Sequence, residues 1–163
     1  MIIEVINDYP PLFNEIKKVF PQATNDGVVF SWGKKVYAPT HSKDQKISSP
    51  IFAHETVHSM QQTIATRYKL RDKGVEMLTR EHWEDMDCEW EVIAWWERYM
   101  RDVKFRYDQE LAAHIEEYRR ASEIAVNRRQ RQYALKDIAH KLASPLYGKM
   151  VTPGKAKQLL KAA

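Results

Sequence analysis

Residues Ser48–Gln62 read SSPIFAHETVHSMQQ, and within them HETVH sets two histidines four positions apart with a glutamate after the first. That spacing constrains the chain strongly, because it is useful only on a helix. Residues four apart share one helical face, so His54 and His58 stack one turn apart and can hold one metal ion. Glu55 then lies beside that ion, placed to take a proton from a metal-activated water and pass it to a leaving amine. The surroundings favour a helix. Ser49 is a good N-cap and Pro50 falls at the first helical position, where its missing N–H has no intrahelical partner to lose. A helix from Pro50 to about Tyr68 is expected.

The rest of the chain reads as α+β and mostly helical. Met1–Ile6 alternates like a short strand. Leu12–Phe20 is an amphipathic helix with Leu12, Phe13, Ile16 and Phe20 inward. Gly27–Trp32 and Lys34–Pro39 form two strands of a hairpin turning at Gly33. This predicts a short antiparallel sheet whose edge strand aligns an extended substrate by main-chain hydrogen bonds. Helical patterns run from Val75 to Met100, then, after a break near Asp102–Arg106, through YDQELAAHIEEYRRASEIAVNRRQRQYALKD as one long helix or two. A turn at Ser144-Pro145 and Gly148 precedes a final helix over Lys155–Leu160.

Composition narrows the class. Eighteen aromatics and a 44% hydrophobic fraction in 163 residues describe one folded domain. We read residues 1–125 as its core and 126–163 as a basic helical C-terminal extension. The single cysteine, Cys88, excludes an internal disulfide and multi-cysteine zinc sites, so a metal must rely on His and carboxylate ligands. MIIEVINDYPPLF lacks the basic flank and apolar run of a signal peptide, and no stretch is apolar for long enough to span a membrane.

Charge is uneven. Residues 1–97 carry eleven Lys/Arg against fifteen Asp/Glu, net −4, and residues 98–163 carry fifteen against seven, net +8. The basic half, densest at Asn127–Gln132, offers a surface to an acidic partner, although a solvated helix face is the simpler reading. No nucleic-acid-binding motif accompanies it, and such a partner is not expected.

A catalytic zinc needs a third protein ligand and an open position. No histidine follows HETVH in the tight spacing of metzincins. In zincins of the glutamate class, the ligand glutamate is usually followed by alanine three residues on. Two places here are similar: Glu91-Val-Ile-Ala94, with Glu89 just before it, and Glu110-Leu-Ala-Ala113. His82, His114 and His140 are further options. His114 lies one turn from Glu110 and can touch the metal, orient a ligand or help hold an oxyanion.

The order HE-x-x-H-x-x-QQ, AWWERYMRD and FRYDQELAAHIEEYR resembles small zincin-like metallopeptidases encoded by bacteriophages and prophages. FSWGKKVYAP looks like their aromatic-glycine hairpin, and HKLASPLYGKMVTPGKAK looks like their C-terminal segment, so the resemblance touches most of the chain. It departs from the pattern in a longer segment over residues 63–92 and in His114, which stands where tyrosine is commoner. The resemblance implies a zincin-like minimal metallopeptidase domain binding Zn2+ through His54, His58 and Glu110. Glu55 would be its catalytic base, with His114 as a second catalytic candidate, and a peptide or protein its substrate. A host-cytoplasm or virion location is expected, and the basic C-terminal region offers a surface to phage structural proteins. The alternative is a virion or assembly component that keeps the fold without proteolysis. Trp95, Trp96 and Tyr99 are read as core aromatics, and Tyr107 and Tyr118 as transition-state donors or half-buried packing. Arg106 is read as a carboxylate partner beside the site or at the surface. Gln61 and Gln62 are expected to bond backbone or a neighbouring helix.

Overall fold

The computed structural model describes residues 3–41, 46–72 and 89–162, with side chains of 64–72 left aside. Among these residues the chain is mostly helical with one small sheet. Strands β1 (Glu4–Ile6), β2 (Phe30–Trp32) and β3 (Lys35–Tyr37) lie in the order β1-β3-β2. The helices are α1 (Phe13–Val19), α2 (Ser49–Asp72), α3 (Glu89–Arg101), α4 (Val103–Ile124), α5 (Arg128–Leu142) and α6 (Pro153–Ala162). Short 3-10 turns occupy Pro21–Thr24 and Pro145–Tyr147.

The hairpin forms as expected. Phe30 pairs with Tyr37 and Trp32 with Lys35, and Gly33 makes the turn at φ +57°, in the left-handed region that favours glycine. The sheet is mixed, however, rather than antiparallel. β1 joins β3 in parallel register, Val5 opposite Val36. A parallel neighbour requires a crossover, and α1 with the first 3-10 turn supplies it. This arrangement leaves β2 at the sheet edge beside α2.

Helix α2 starts one residue earlier than expected, with Phe52 N–H donating to Ser48 O at 2.9 Å. The pattern downstream of Asp102 divides into two helices, each with a side-chain cap. Asp102 Oδ1 accepts from Phe105 N–H at 2.9 Å and Asn127 Oδ1 from Gln130 N–H at 3.0 Å. Gln130 Oε1 reaches back to accept from Val126 N–H at 2.8 Å, a reciprocal cap that fixes the break between α4 and α5. The helix expected from Val75 begins outside the described residues, as do His82 and Cys88.

Two apolar clusters form. One joins α1, the sheet and α3 through Ile16, Phe20, Phe30, Trp95, Trp96 and Tyr99. The other joins α4, α5, α6 and the second 3-10 turn through Tyr107, Leu135, Ile138, Leu142, Tyr147 and Leu160. Helices α2 and α4 pack directly on each other, and their facing sides are not apolar. His54, Glu55, His58, Glu110, His114 and Glu117 are all buried there. So many ionisable groups are buried only when they are paired or ligate a metal.

Arg106 pairs with neither kind of carboxylate expected of it. It is buried and donates from Nη1 to Tyr99 O at 2.6 Å and from Nε to Leu146 O at 2.9 Å. A cation at the end of α3 satisfies carbonyls that the helix leaves open, and it ties that end to the 3-10 turn carrying Tyr147. Gly148 closes this turn at φ +75°, and a Cβ there would meet Val103 Cγ2 at 2.5 Å. Gly148→Ala should therefore destabilise the fold by more than the ~1–2 kcal/mol of left-handed strain alone, measured by urea unfolding.

Candidate metal centre

His54 and His58 point the same nitrogen inward. Their Nε2 atoms lie 3.0 Å apart, His58 Nε2 is 3.1 Å from Glu110 Oε1, and His54 Nε2 is 3.5 Å from Glu110 Oε2. Zinc–ligand bonds of about 2.0–2.1 Å at tetrahedral angles would place ligand atoms about 3.3 Å from one another. The observed triangle is close to that. Among the described residues, His54, His58 and Glu110 form one group able to hold a metal ion. Glu110 Oε2 is also buried without a hydrogen-bond partner, as an atom reserved for a ligand would be. Two imidazoles and one carboxylate are a donor set that divalent transition metals, zinc among them, accept.

The outer nitrogens face polar side chains. His58 Nδ1 lies 2.8 Å from Gln61 Oε1, while Gln61 Nε2 donates to Gln109 O at 3.0 Å. The amide orientation makes Gln61 the acceptor and His58 Nδ1 the donor, so that Nε2, facing Glu110, is the nitrogen that ligates a metal once its proton is lost. His54 Nδ1 lies 3.2 Å from Glu117 Oε2, which also accepts from His114 Nδ1 at 2.7 Å. Carboxylates in this outer position orient a ligating histidine and raise its basicity. Glu117→Ala should therefore weaken metal affinity about 10–100-fold, measured by competition with a chromophoric chelator.

Glu110 is oriented by Tyr99, whose hydroxyl donates to Oε1 at 2.6 Å. Burial alone would push the Glu110 carboxyl pKa up, but His58, His54 and His114 outweigh it and hold it well below the usual carboxylate range. The reciprocal effect falls on His58. Burial opposes its charge, yet Glu110 raises its pKa to about 9. In the metal-free chain His58 is thus protonated at neutrality, and a metal must displace that proton. With the folded pKa above the unfolded one, stability of the metal-free chain should fall as pH rises from about 6.5 to 9. Metal affinity should climb over the same window, with net proton release on binding at pH 7. Calorimetry in buffers of different ionisation enthalpy measures that release.

Glu55 stands beside this group without belonging to it. Ser31 Oγ lies 2.6 Å from Glu55 Oε2 and 2.7 Å from Glu55 O. Burial raises the Glu55 pKa, against the lowering effects of His54, His58 and the Ser31 hydrogen bond. A carboxylate moved toward neutrality is better matched to proton transfer. With His54, His58 and Glu110 it lines a cavity of about 250 Å³ that also reaches Tyr99 and Tyr147.

Of the other sequence expectations, Glu91 is buried on α3 and Glu89 is exposed at its start, and neither joins the group. His140 is exposed on α5. His114 does not join His54, His58 and Glu110. It forms a second group with His54 and Glu117, and its Nε2 lies 3.5 Å from Glu110 Oε2. It does not line the cavity, and its hydrogen bond goes from Nδ1 to Glu117 Oε2. Tyr107 and Tyr118 pack in the second apolar cluster away from the cavity. Gln62 bonds backbone as expected, accepting from Gly33 N–H at 2.6 Å and donating to Ser31 O at 3.1 Å. Trp96 Nε1 donates to the same carbonyl at 3.1 Å. The β2 edge is therefore occupied at Ser31 and cannot offer that carbonyl to a substrate backbone.

Sequence reasoning missed Glu117 and Tyr147. Residues 110, 114 and 117 recur on one helical face, a signal that could have found Glu117. Tyr147 arrives through the C-terminal 3-10 turn, and Lys141 Nζ lies 3.4 Å from Glu117 Oε1. The segment after residue 125 thus contributes directly to the surroundings of the site. No family model, curated protein or solved structure matches the chain.

Proposed function

We propose that the chain is a zinc-dependent hydrolase of peptide or related amide bonds, of the zincin-like, glutamate-ligand kind. The observation that carries this reading is the convergence of His54 Nε2, His58 Nε2 and Glu110 beside a buried, non-ligating Glu55 at a cavity wall. His54, His58 and Glu110 would hold the metal. When bound, the metal supplies a water acidified to near-neutral pKa and polarises the substrate carbonyl. Glu55 Oε atoms receive the proton of the attacking water and deliver it to the leaving nitrogen. Ser31 fixes the Glu55 side chain, Gln61 fixes the His58 ring, and the Glu117 carboxylate stands beside His54 Nδ1.

Tyr147 is the donor for the developing oxyanion. Its hydroxyl pKa is pushed well above the ordinary value by burial and by Glu110, so the phenol keeps its proton. Tyr147→Phe should lower kcat about 10²–10³-fold with metal content unchanged.

An assembly component using the metal only for structure is the second reading. A cavity reaching the ligands and a glutamate spent on no ligand favour hydrolysis over it. The resemblance to phage-encoded metallopeptidases supports the zincin class. Exposed Arg128, Arg129 and Arg131 at the start of α5 remain the surface for an acidic partner. Among the described residues no helix is long and apolar enough to cross a membrane. The test of the reading is turnover of a mixed peptide pool by the zinc-loaded chain, abolished by chelation and restored by zinc.

A further inference from the structure

We propose that the cavity beside Glu55 and His58 is a side-chain pocket, selecting amide bonds flanked by a medium or large apolar residue such as Leu or Phe. The inference rests on the hydrolase reading and names its substrate class. Three observations carry it.

The first is size. At about 250 Å³ the cavity is below the ~300–1,000 Å³ that receives a whole drug-sized ligand, and it suits one side chain. The second is the lining. Its wall includes Phe20, Ala23, Val28, Phe30, Trp95 and Trp96, and the exposed lining is mainly apolar. Its floor is buried, while Val28, Val29 and Leu146 are half-buried and Gln22 is exposed, which places the mouth at these four residues.

The third is the state of the polar atoms in that wall. Gln62 spends its amide on Gly33 N–H and Ser31 O. Trp96 Nε1 is spent on Ser31 O and Trp95 Nε1 on Gln109 Oε1 at 3.1 Å. Ser31 Oγ is spent on Glu55. Beyond the metal-centre groups and their tyrosines, these partners hold the polar side chains of the buried wall, and the exposed Gln22 amide lies out at the mouth. A charged or amide side chain would be desolvated there without a partner. An apolar one would leave water and fill space against aromatic rings.

The test uses the zinc-loaded full chain and amino-acid hydroxamates, whose common head group binds the metal while the side chain varies. Leucine and phenylalanine hydroxamates should bind at least about tenfold more tightly than glycine hydroxamate, within the range that apolar-pocket selection supports. Aspartate hydroxamate should bind most weakly. Val28→Trp, which narrows the mouth, should erase the preference for leucine while zinc content stays the same. Ala23→Phe, filling the floor, provides a second variant with the same expected result.

Equal affinity for all side chains, preference for aspartate, or no hydroxamate binding would overturn the proposal. Peptide turnover measured in parallel separates it from the hydrolase reading. Apolar hydroxamate preference without any turnover upholds the pocket and defeats the hydrolase reading. Turnover without side-chain preference upholds the hydrolase and defeats the pocket.

Discussion

Glu55→Gln should leave zinc bound and reduce peptide hydrolysis by about 10²–10⁴-fold, the usual contribution of a positioned general base. Both halves of this expectation follow from placement. Glu55 lies outside the His54–His58–Glu110 group, so its replacement removes no ligand. Glutamine is nearly isosteric, and its carbonyl oxygen can still accept from Ser31 Oγ, which lies 2.6 Å from the carboxylate now. Packing and metal affinity should therefore change little. The lost property is the ability to take a proton. Elemental analysis of the purified variant checks the first half and turnover of a quenched peptide the second. Hydrolysis within tenfold of the unaltered chain would remove Glu55 from the mechanism.

Glu110→Ala should have the opposite signature, losing metal and everything that depends on it. The carboxylate closes the triangle, and Tyr99 and His58 both lie on its Oε1. Its removal leaves the Tyr99 hydroxyl without its acceptor and His58 without the charge that holds its pKa up. With metal a thousandfold above Kd, binding stabilises the unaltered fold by about 4 kcal/mol, on the order of 10 °C in Tm for a chain of this size. Glu110→Ala should show no such metal-induced shift in differential scanning fluorimetry. Glu91→Ala, altering the buried one of the two acidic alternatives for third ligand, should retain the shift whatever its own effect on the baseline Tm. The reverse pattern would assign the third ligand to Glu91.

The parts of the site legible in the sequence were those written in local spacing. HETVH needs a helix and gets one, because Pro50 and the preceding serines start it and the histidine spacing fits its face. Glu110 stood out through ELAAH, and the hairpin through Gly33 between two apolar runs. Expectations failed where tertiary pairing decides. The parallel placement of β1 depends on a crossover through α1, which no local pattern encodes. Arg106 looked like an ion-pair residue, but it is buried against the carbonyls of Tyr99 and Leu146, forty positions away in the latter case. Tyr147 could not be tied to Glu110 from sequence, because their proximity depends on how the 3-10 turn at Pro145–Tyr147 packs on α4. Glu117 is the intermediate case. Its periodic relation to Glu110 and His114 was legible, and its role beside His54 required the packing of α2 on α4.

Anomalous diffraction at the zinc edge from crystals of the zinc-loaded chain locates the ion and its ligands. One ion per chain is expected, within about 2.0–2.2 Å of His54 Nε2, His58 Nε2 and a Glu110 oxygen, with its remaining position open to the cavity beside Glu55. An ion elsewhere, or one closed off by a fourth protein ligand such as His114, would contradict this arrangement.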